Sequence, residues 1–189
     1  SGGQSLGHSV GHSVGHSGNT TTRSLILNRS PSRTQTSLRL TPPDSFSIPF
    51  TGEHATQIGG LAFAPSLHPS PPSSLSIAVV GAGGCAVPLA ICAAYEVPVI
   101  AVEPDGDVVL AARENFLSAV PAGSRVNIVQ TDGEQYLKLN SPASLDVIII
   151  DVDDCSNGEL ETHVAPPPQL RSKAFWKIVK ASLRPDGVI

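Results

Sequence analysis

Four short apolar runs govern what this chain can fold into. They are SIAVVG at 76–81, PVIAVE at 98–103, RVNIVQ at 125–130 and LDVIIID at 145–151, and stretches with helical spacing separate them at 84–95, 106–119 and 133–139. Runs with few polar interruptions suit strands buried on both faces, as in a parallel sheet. Strand and helix in alternation, joined by short connections, predict an α/β fold with a doubly wound, Rossmann-like sheet. A further helix is expected over 169–183. There Leu170, Ala174, Phe175, Ile178, Val179 and Leu183 share one face, Arg171, Lys173, Lys177 and Lys180 lie off it, and Pro185 and Gly187 stop it. GVI at 187–189 opens a fifth strand that falls short of the usual length of about five or six residues. The sheet is therefore expected to be truncated within that strand.

The first 75 residues follow a different grammar. Residues 1–22 are low-complexity, and GHSVGHSVGHS sets His8, His12 and His16 in a four-residue register. Imidazoles ligate metals, but Gly and Ser at this density hold no ligand geometry, so a disordered tail without a metal site is expected. Residues 23–75 read as a second unit. RSLILNRSPSRTQTSLRL forms a strand pair around a Ser-Pro turn, and a Pro-rich link covers 41–52. EHATQIGGLAF makes a short helix weakened by Gly59 and Gly60, and HPSPPSS at 68–74 is a rigid linker. The third unit, 76–189, carries the sheet.

Charge divides along the same line. Residues 1–75 hold four arginines and two acids, whereas 76–189 hold eight basic and fourteen acidic residues, a balance of −6. A globular unit of that sign binds a phosphate backbone poorly, which argues against a nucleic-acid partner. Three cysteines without a CxxC spacing indicate neither a disulfide framework nor a zinc site, and suit a reducing, cytoplasmic setting. No apolar run reaches the roughly 18 residues of a membrane span.

Ligands of an open parallel sheet bind beyond the C-terminal strand ends. The first run delivers Gly81, Gly83 and Gly84 there, the second Glu103, the third Asp132 and Gly133, and the fourth Asp151. Gly81-x-Gly83-x-x-Ala86, with Glu103 placed 22 residues after Gly81 to accept ribose hydroxyls, fits NAD and S-adenosylmethionine equally. The other acids separate the two. Asp132 lies where it can accept a hydrogen bond from an adenine amino group, while also serving as an N-cap for helix 133–139. Asp151 ends an apolar run, where an unpaired buried charge is costly, and so is expected to face a ligand cation or a polar pocket. The sulfonium and ammonium of S-adenosylmethionine suit these acidic loops better than the pyrophosphate of NAD does. His54 and His163 are isolated and read as surface or packing residues.

These residues resemble the class I S-adenosylmethionine-dependent methyltransferases in their spermidine-synthase-like branch. Within that branch they are most similar to the C-terminal domain of the methyltransferase-like 13 family, which modifies translation elongation factor 1-alpha. The resemblance runs over about residues 23–189. It rests on EHATQIGGLAFA, IAVVGAGG, AVEPD, QTDGEQYL, DVIIIDVDD, APPPQL and LRPDGVI following one another in family order. It implies that Gly81, Gly83 and Gly84 face the methionine part of the cofactor and that Glu103 binds its ribose. Asp132 and Gly133 then flank the adenine, and Asp151 lies near the methyl donor and the incoming amine as the catalytic residue. The implied acceptor is a protein amine, N-terminal or lysine.

Two other readings stay open. Asp151-x-x-Asp154 matches the acid pair of polyamine aminopropyltransferases, which use decarboxylated S-adenosylmethionine. Against this, those enzymes usually carry an Asp where Cys85 stands here, and the acids and Tyr of their polyamine channel are not visible in TGEHATQIGGLAF. A non-catalytic interaction module, or an inactive fragment, would also account for a fold without its last strands.

Overall fold

The computed structural model describes residues 10–17, 20–27, 34–41, 45–47, 59–152 and 166–189. Five parallel strands form the central sheet: β5 (Ile77–Val80), β6 (Val99–Glu103), β7 (Val126–Gln130), β8 (Leu145–Ile150) and β9 (Leu183–Val188). Their order is β7-β6-β5-β8-β9, which counted within this sheet is the doubly wound pattern that reverses direction between β5 and β8. Both partners of β5 run parallel to it, with Val80 level with Val102 on one side and Ile150 on the other. Burial follows this order. Every residue of β5 is buried and nearly every residue of β8, whereas β7 alternates and β9 is mostly open, as edge strands do.

Helices cover both faces. On one side α1 (Ala86–Tyr95) and α2 (Gly106–Asn115) enclose a core of Leu89, Ile91, Phe116, Ile77 and Val79. On the other, α3 (Gly133–Leu139) and α4 (Lys173–Ser182) pack Leu137, Phe175 and Val179 on Ala78 and Ile148. Neighbouring residues of β5 therefore serve opposite cores, as the two-residue strand period requires.

Several boundaries depart from the sequence expectation for local reasons. The helix expected from 84 starts at Ala86, because Cys85 takes a left-handed conformation (φ 63°) that precedes it. The helix expected over 106–119 ends at Asn115, and a tighter turn continues over Leu117–Ala119. The last helix starts at Lys173, where the Ser172 hydroxyl accepts the Phe175 N–H at 3.1 Å. It closes at Ser182, so Leu183 belongs to β9 and not to the helix, and the fifth strand begins before Gly187. Gly59 and Gly60 are helical, within 59–63.

The expected N-terminal strand pair is present as β2 (Thr20–Leu27) and β3 (Thr34–Thr41); with β1 (Val10–Ser17), which falls within the stretch read as a tail, and β4 (Ser45–Ser47) it makes a four-stranded antiparallel sheet. A four-residue repeat is two strand periods, so VGHSVGHS is compatible with a strand. This sheet joins the main core: Leu25 is fully buried within it, and the Arg23 guanidinium donates to the Asn115 carbonyl at 2.7 Å. At the head of the Pro-rich linker, His68 is buried against Asp146. Residues 1–9, the Ser30-Pro31 turn, residues 48–58 with His54, and residues 153–165 with Asp154, Cys155 and His163 lie outside the described residues. Among those described, no helix is long and apolar enough to cross a membrane.

Candidate functional site

Three main-chain hydrogen bonds extend the ladder one step past the strands. The Gly81 N–H donates to Val102 (2.9 Å), the Asp151 N–H to Val80 (2.8 Å) and the Thr131 N–H to Glu103 (3.1 Å). The loops bearing Gly81, Glu103, Asp132 and Asp151 consequently leave the sheet at one level. Gly81 and Asp151 sit on either side of the point where the strand order reverses, the place where open α/β sheets form a ligand crevice.

The first loop is tied to the fourth through the main chain. Gly81 has φ 90°, and a Cβ there would stand 2.1 Å from the Asp151 carbonyl oxygen, so both conformation and space demand glycine. Gly133 meets a similar limit, since a Cβ would come within 2.3 Å of Val80 Cγ1. The start of α3 thus lies directly against the end of β5. Gly83 and Gly84 form the turn before α1.

Glu103 is held by backbone donors from two loops. Its Oε2 accepts the Gly83 N–H at 3.2 Å and its Oε1 the Asp105 N–H at 3.1 Å. Burial raises its pKa, and the Asp105 and Gly83 N–H groups oppose that only in part. Beside it, the Cys85 thiol is fully buried, and burial, with the nearby Glu103 and Cys92, pushes it up to about 12. A thiol in that state is no nucleophile at neutral pH.

Asp132 caps α3 by accepting the Gln135 N–H on Oδ1 at 3.0 Å. Asp151 differs from expectation in one respect: its side chain is exposed, so the cost of burying a charge does not bear on it. The structure thus brings Gly81, Gly83, Gly84, Glu103, Asp132, Gly133 and Asp151 to one edge of the sheet.

Sequence reasoning missed a polar cluster at the opposite edge. Asp146 Oδ2 accepts the Ser76 N–H and the Arg184 guanidinium, each at 2.7 Å, and His68 Nε2 lies 3.8 Å from Oδ1. Burial alone would raise this carboxyl, but Ser76, Arg184 and His68 together hold it below the ordinary carboxylate range. The available signal was an Asp inside an apolar strand, which requires partners.

No protein-family model matches the sequence, and no curated protein matches it. Solved structures do match. A probable spermidine synthase from Corynebacterium glutamicum superposes with a TM-score of 0.70 and 22% identity, over 95% of this chain and 58% of that one. Spermidine synthase from Thermotoga maritima gives 0.53 and 22%, over 93% and 54%. Human methyltransferase-like protein 13, in complex with SAH, gives 0.53 and 28%, over 73% and 63%. The chain thus spans between 54% and 63% of the length of these structures. Its fold is that of the class I methyltransferases in their spermidine-synthase-like form.

Proposed function

We propose that this chain is an S-adenosylmethionine-dependent methyltransferase acting on a protein amine, N-terminal or lysine, with translation elongation factor 1-alpha as the first acceptor to test. The observation that carries the reading is that the Gly81 loop, Glu103, Asp132, Gly133 and Asp151 share the C-terminal edge of the sheet, with Gly81 and Asp151 flanking the strand-order reversal. The fit to the cofactor rests on chemistry at those positions. Glu103 presents a carboxylate for two ribose hydroxyls, and Gly81 and Gly133 leave backbone where a side chain would block approach. The likeness to a methyltransferase holding SAH supports the same assignment.

When bound, the cofactor supplies an already activated methyl group on a sulfonium. The chain has then to position a neutral amine in line and exclude competing orientations. An α-amine with a pKa of about 8 is partly neutral at pH 7, so Asp151 need only orient it by accepting one of its hydrogens. The protonated, buried Cys85 takes no covalent part.

A second reading, a polyamine aminopropyltransferase, is favoured by one finding: the likeness to a probable spermidine synthase covers 95% of the chain. Against it stands Cys85, a neutral buried thiol where those enzymes usually carry an acid. Calorimetry with S-adenosylmethionine, its decarboxylated form and NAD separates the readings. The parent cofactor is expected to bind best. Preference for the decarboxylated form would establish the polyamine reading, and binding of NAD alone would exclude both.

A further inference from the structure

The acidic balance of residues 76–189 contains a local reversal. Residues 166–185 include Arg171, Lys173, Lys177, Lys180 and Arg184 and not one Asp or Glu. Arg184 is engaged by Asp146. The other four are exposed, and none forms an ion pair with a described residue. At about 3.6 residues per turn, Lys173, Lys177 and Lys180 fall within about 60° of one another on α4, with Trp176 about 40° to one side. Trp176 is the chain's only tryptophan and is 44% exposed. Its ring lies edge-on to the buried Phe175 ring at 5.9 Å, which anchors it. Like charges at these spacings oppose one another, and only Lys180, in the last turn, is favourably placed for the helix that bears the stripe.

We propose that this face of α4 is a docking surface for an acidic, extended stretch of polypeptide. Alternate residues of an extended chain lie about 6.6 Å apart. Lys173 to Lys177 rises about 6 Å along the helix and Lys177 to Lys180 about 4.5 Å. Carboxylates on every second residue therefore match Lys173 and Lys177 and come within side-chain reach of Lys180, with the indole beside them as an apolar platform. Charge favours this partner over nucleic acid. A polynucleotide carries charge along its whole length and would run from the stripe onto a unit whose balance is −6, whereas a short acidic segment confines its charge to the stripe. A membrane is disfavoured because Phe175 and Val179, the apolar side of α4, are already committed to the core. The surface stands on its own charge and exposure. That it presents an acceptor protein to the site rests on the function proposed above.

The test uses the full chain and the emission of Trp176. It is titrated with a peptide of alternating Glu and Ser, and with a single-stranded oligonucleotide of equal charge. A saturable change is expected with the peptide, weakened at least about tenfold when salt is raised to about 0.5 M. In the Lys173→Glu/Lys177→Glu/Lys180→Glu variant, affinity is expected to fall at least about tenfold. A Lys→Gln triple variant, with circular dichroism matching the parent, keeps the test valid should the first variant fold poorly. Absence of peptide binding to the parent chain, undiminished binding to a folded triple variant, or tighter binding of the oligonucleotide would each overturn the proposal. Calorimetry with S-adenosylmethionine on the same samples separates the two claims. Cofactor binding without peptide binding defeats the docking surface alone, and peptide binding without cofactor binding defeats the enzymatic reading alone.

Discussion

Glu103 and Asp146 are both carboxylates set into the central sheet, and they stand at its two ends. Glu103 accepts two main-chain N–H groups, has no ion-pair partner among the described residues, and has its pKa raised, chiefly by burial. Asp146 accepts one N–H and a guanidinium, faces an imidazole, and has its pKa lowered despite its burial. The second carboxylate is a strut: it fastens β8 to β9 and to residues 68–76, and its charge is answered within the chain. The first has no such counter-charge among the described residues. Burial acts to raise both; the partners around each set the opposite directions in which their pKa values move.

The contact at the Gly81 loop offers the most severe challenge to this contrast. Gly81→Ala puts a Cβ against the Asp151 carbonyl at a φ unsuited to alanine. Strain and overpacking together are expected to cost about 3 kcal/mol or more, read from denaturant unfolding. A cost below about 1 kcal/mol would show that the two loops are not joined as described. Next in size, Asp146→Asn removes the charge that answers Arg184. Since Arg184 is 46% exposed, the loss is expected near the lower end for broken buried pairs, about 2–3 kcal/mol, with cofactor affinity unchanged within about twofold. The complementary change, Glu103→Ala, is expected to weaken S-adenosylmethionine binding about ten- to hundredfold, the scale of hydrogen bonds to a charged group. If calorimetry shows the two variants exchanging these phenotypes, the division between a strut and a cofactor-binding acid fails.

Acidity sharpens the same comparison. Because the Asp146 pKa lies below its ordinary 3.8, its contribution is full above that value and is lost as pH falls through the folded one. Because the Glu103 pKa lies above its ordinary 4.5, stability declines as pH rises from that value through the folded one. In unfolding titrations, the parent should therefore gain stability over Asp146→Asn as pH rises toward 3.8, and lose stability relative to Glu103→Ala as pH rises from 4.5. The smallest expected effect lies away from both carboxylates. Glu96 closes α1 at φ 56°, and Glu96→Gly should add about 0.5–1 kcal/mol, detectable as a raised Tm.

What the sequence disclosed was what has a local signature. The runs at 77–80, 99–103, 126–130 and 145–150 announce buried parallel strands through uninterrupted apolar residues, and the residues following them fall at the ligand edge by topology alone. The hidden parts depend on distance or on scale. Nothing near His68 or Ser76 signals an acid 70 or more residues away, so the burial of His68 at the head of the linker stays hidden. The repeat at 10–17 has the composition of a flexible tract, and only its even period betrays a strand. In LDVIIID the eye takes the terminal Asp151 and passes over Asp146, although Asp146 is the one the fold buries.

The depth of Cys85 and Cys92 also has a practical consequence. Both thiols are fully buried, and burial pushes them to about 12 and about 11, so alkylating reagents meet neither a thiolate nor an open path in the native state. With Cys155 replaced by serine, covalent labelling at these two positions becomes a clock for opening events. Each modified molecule records one excursion of the sheet's first crossover, and a ligand seated over the Gly81 loop should slow its ticking.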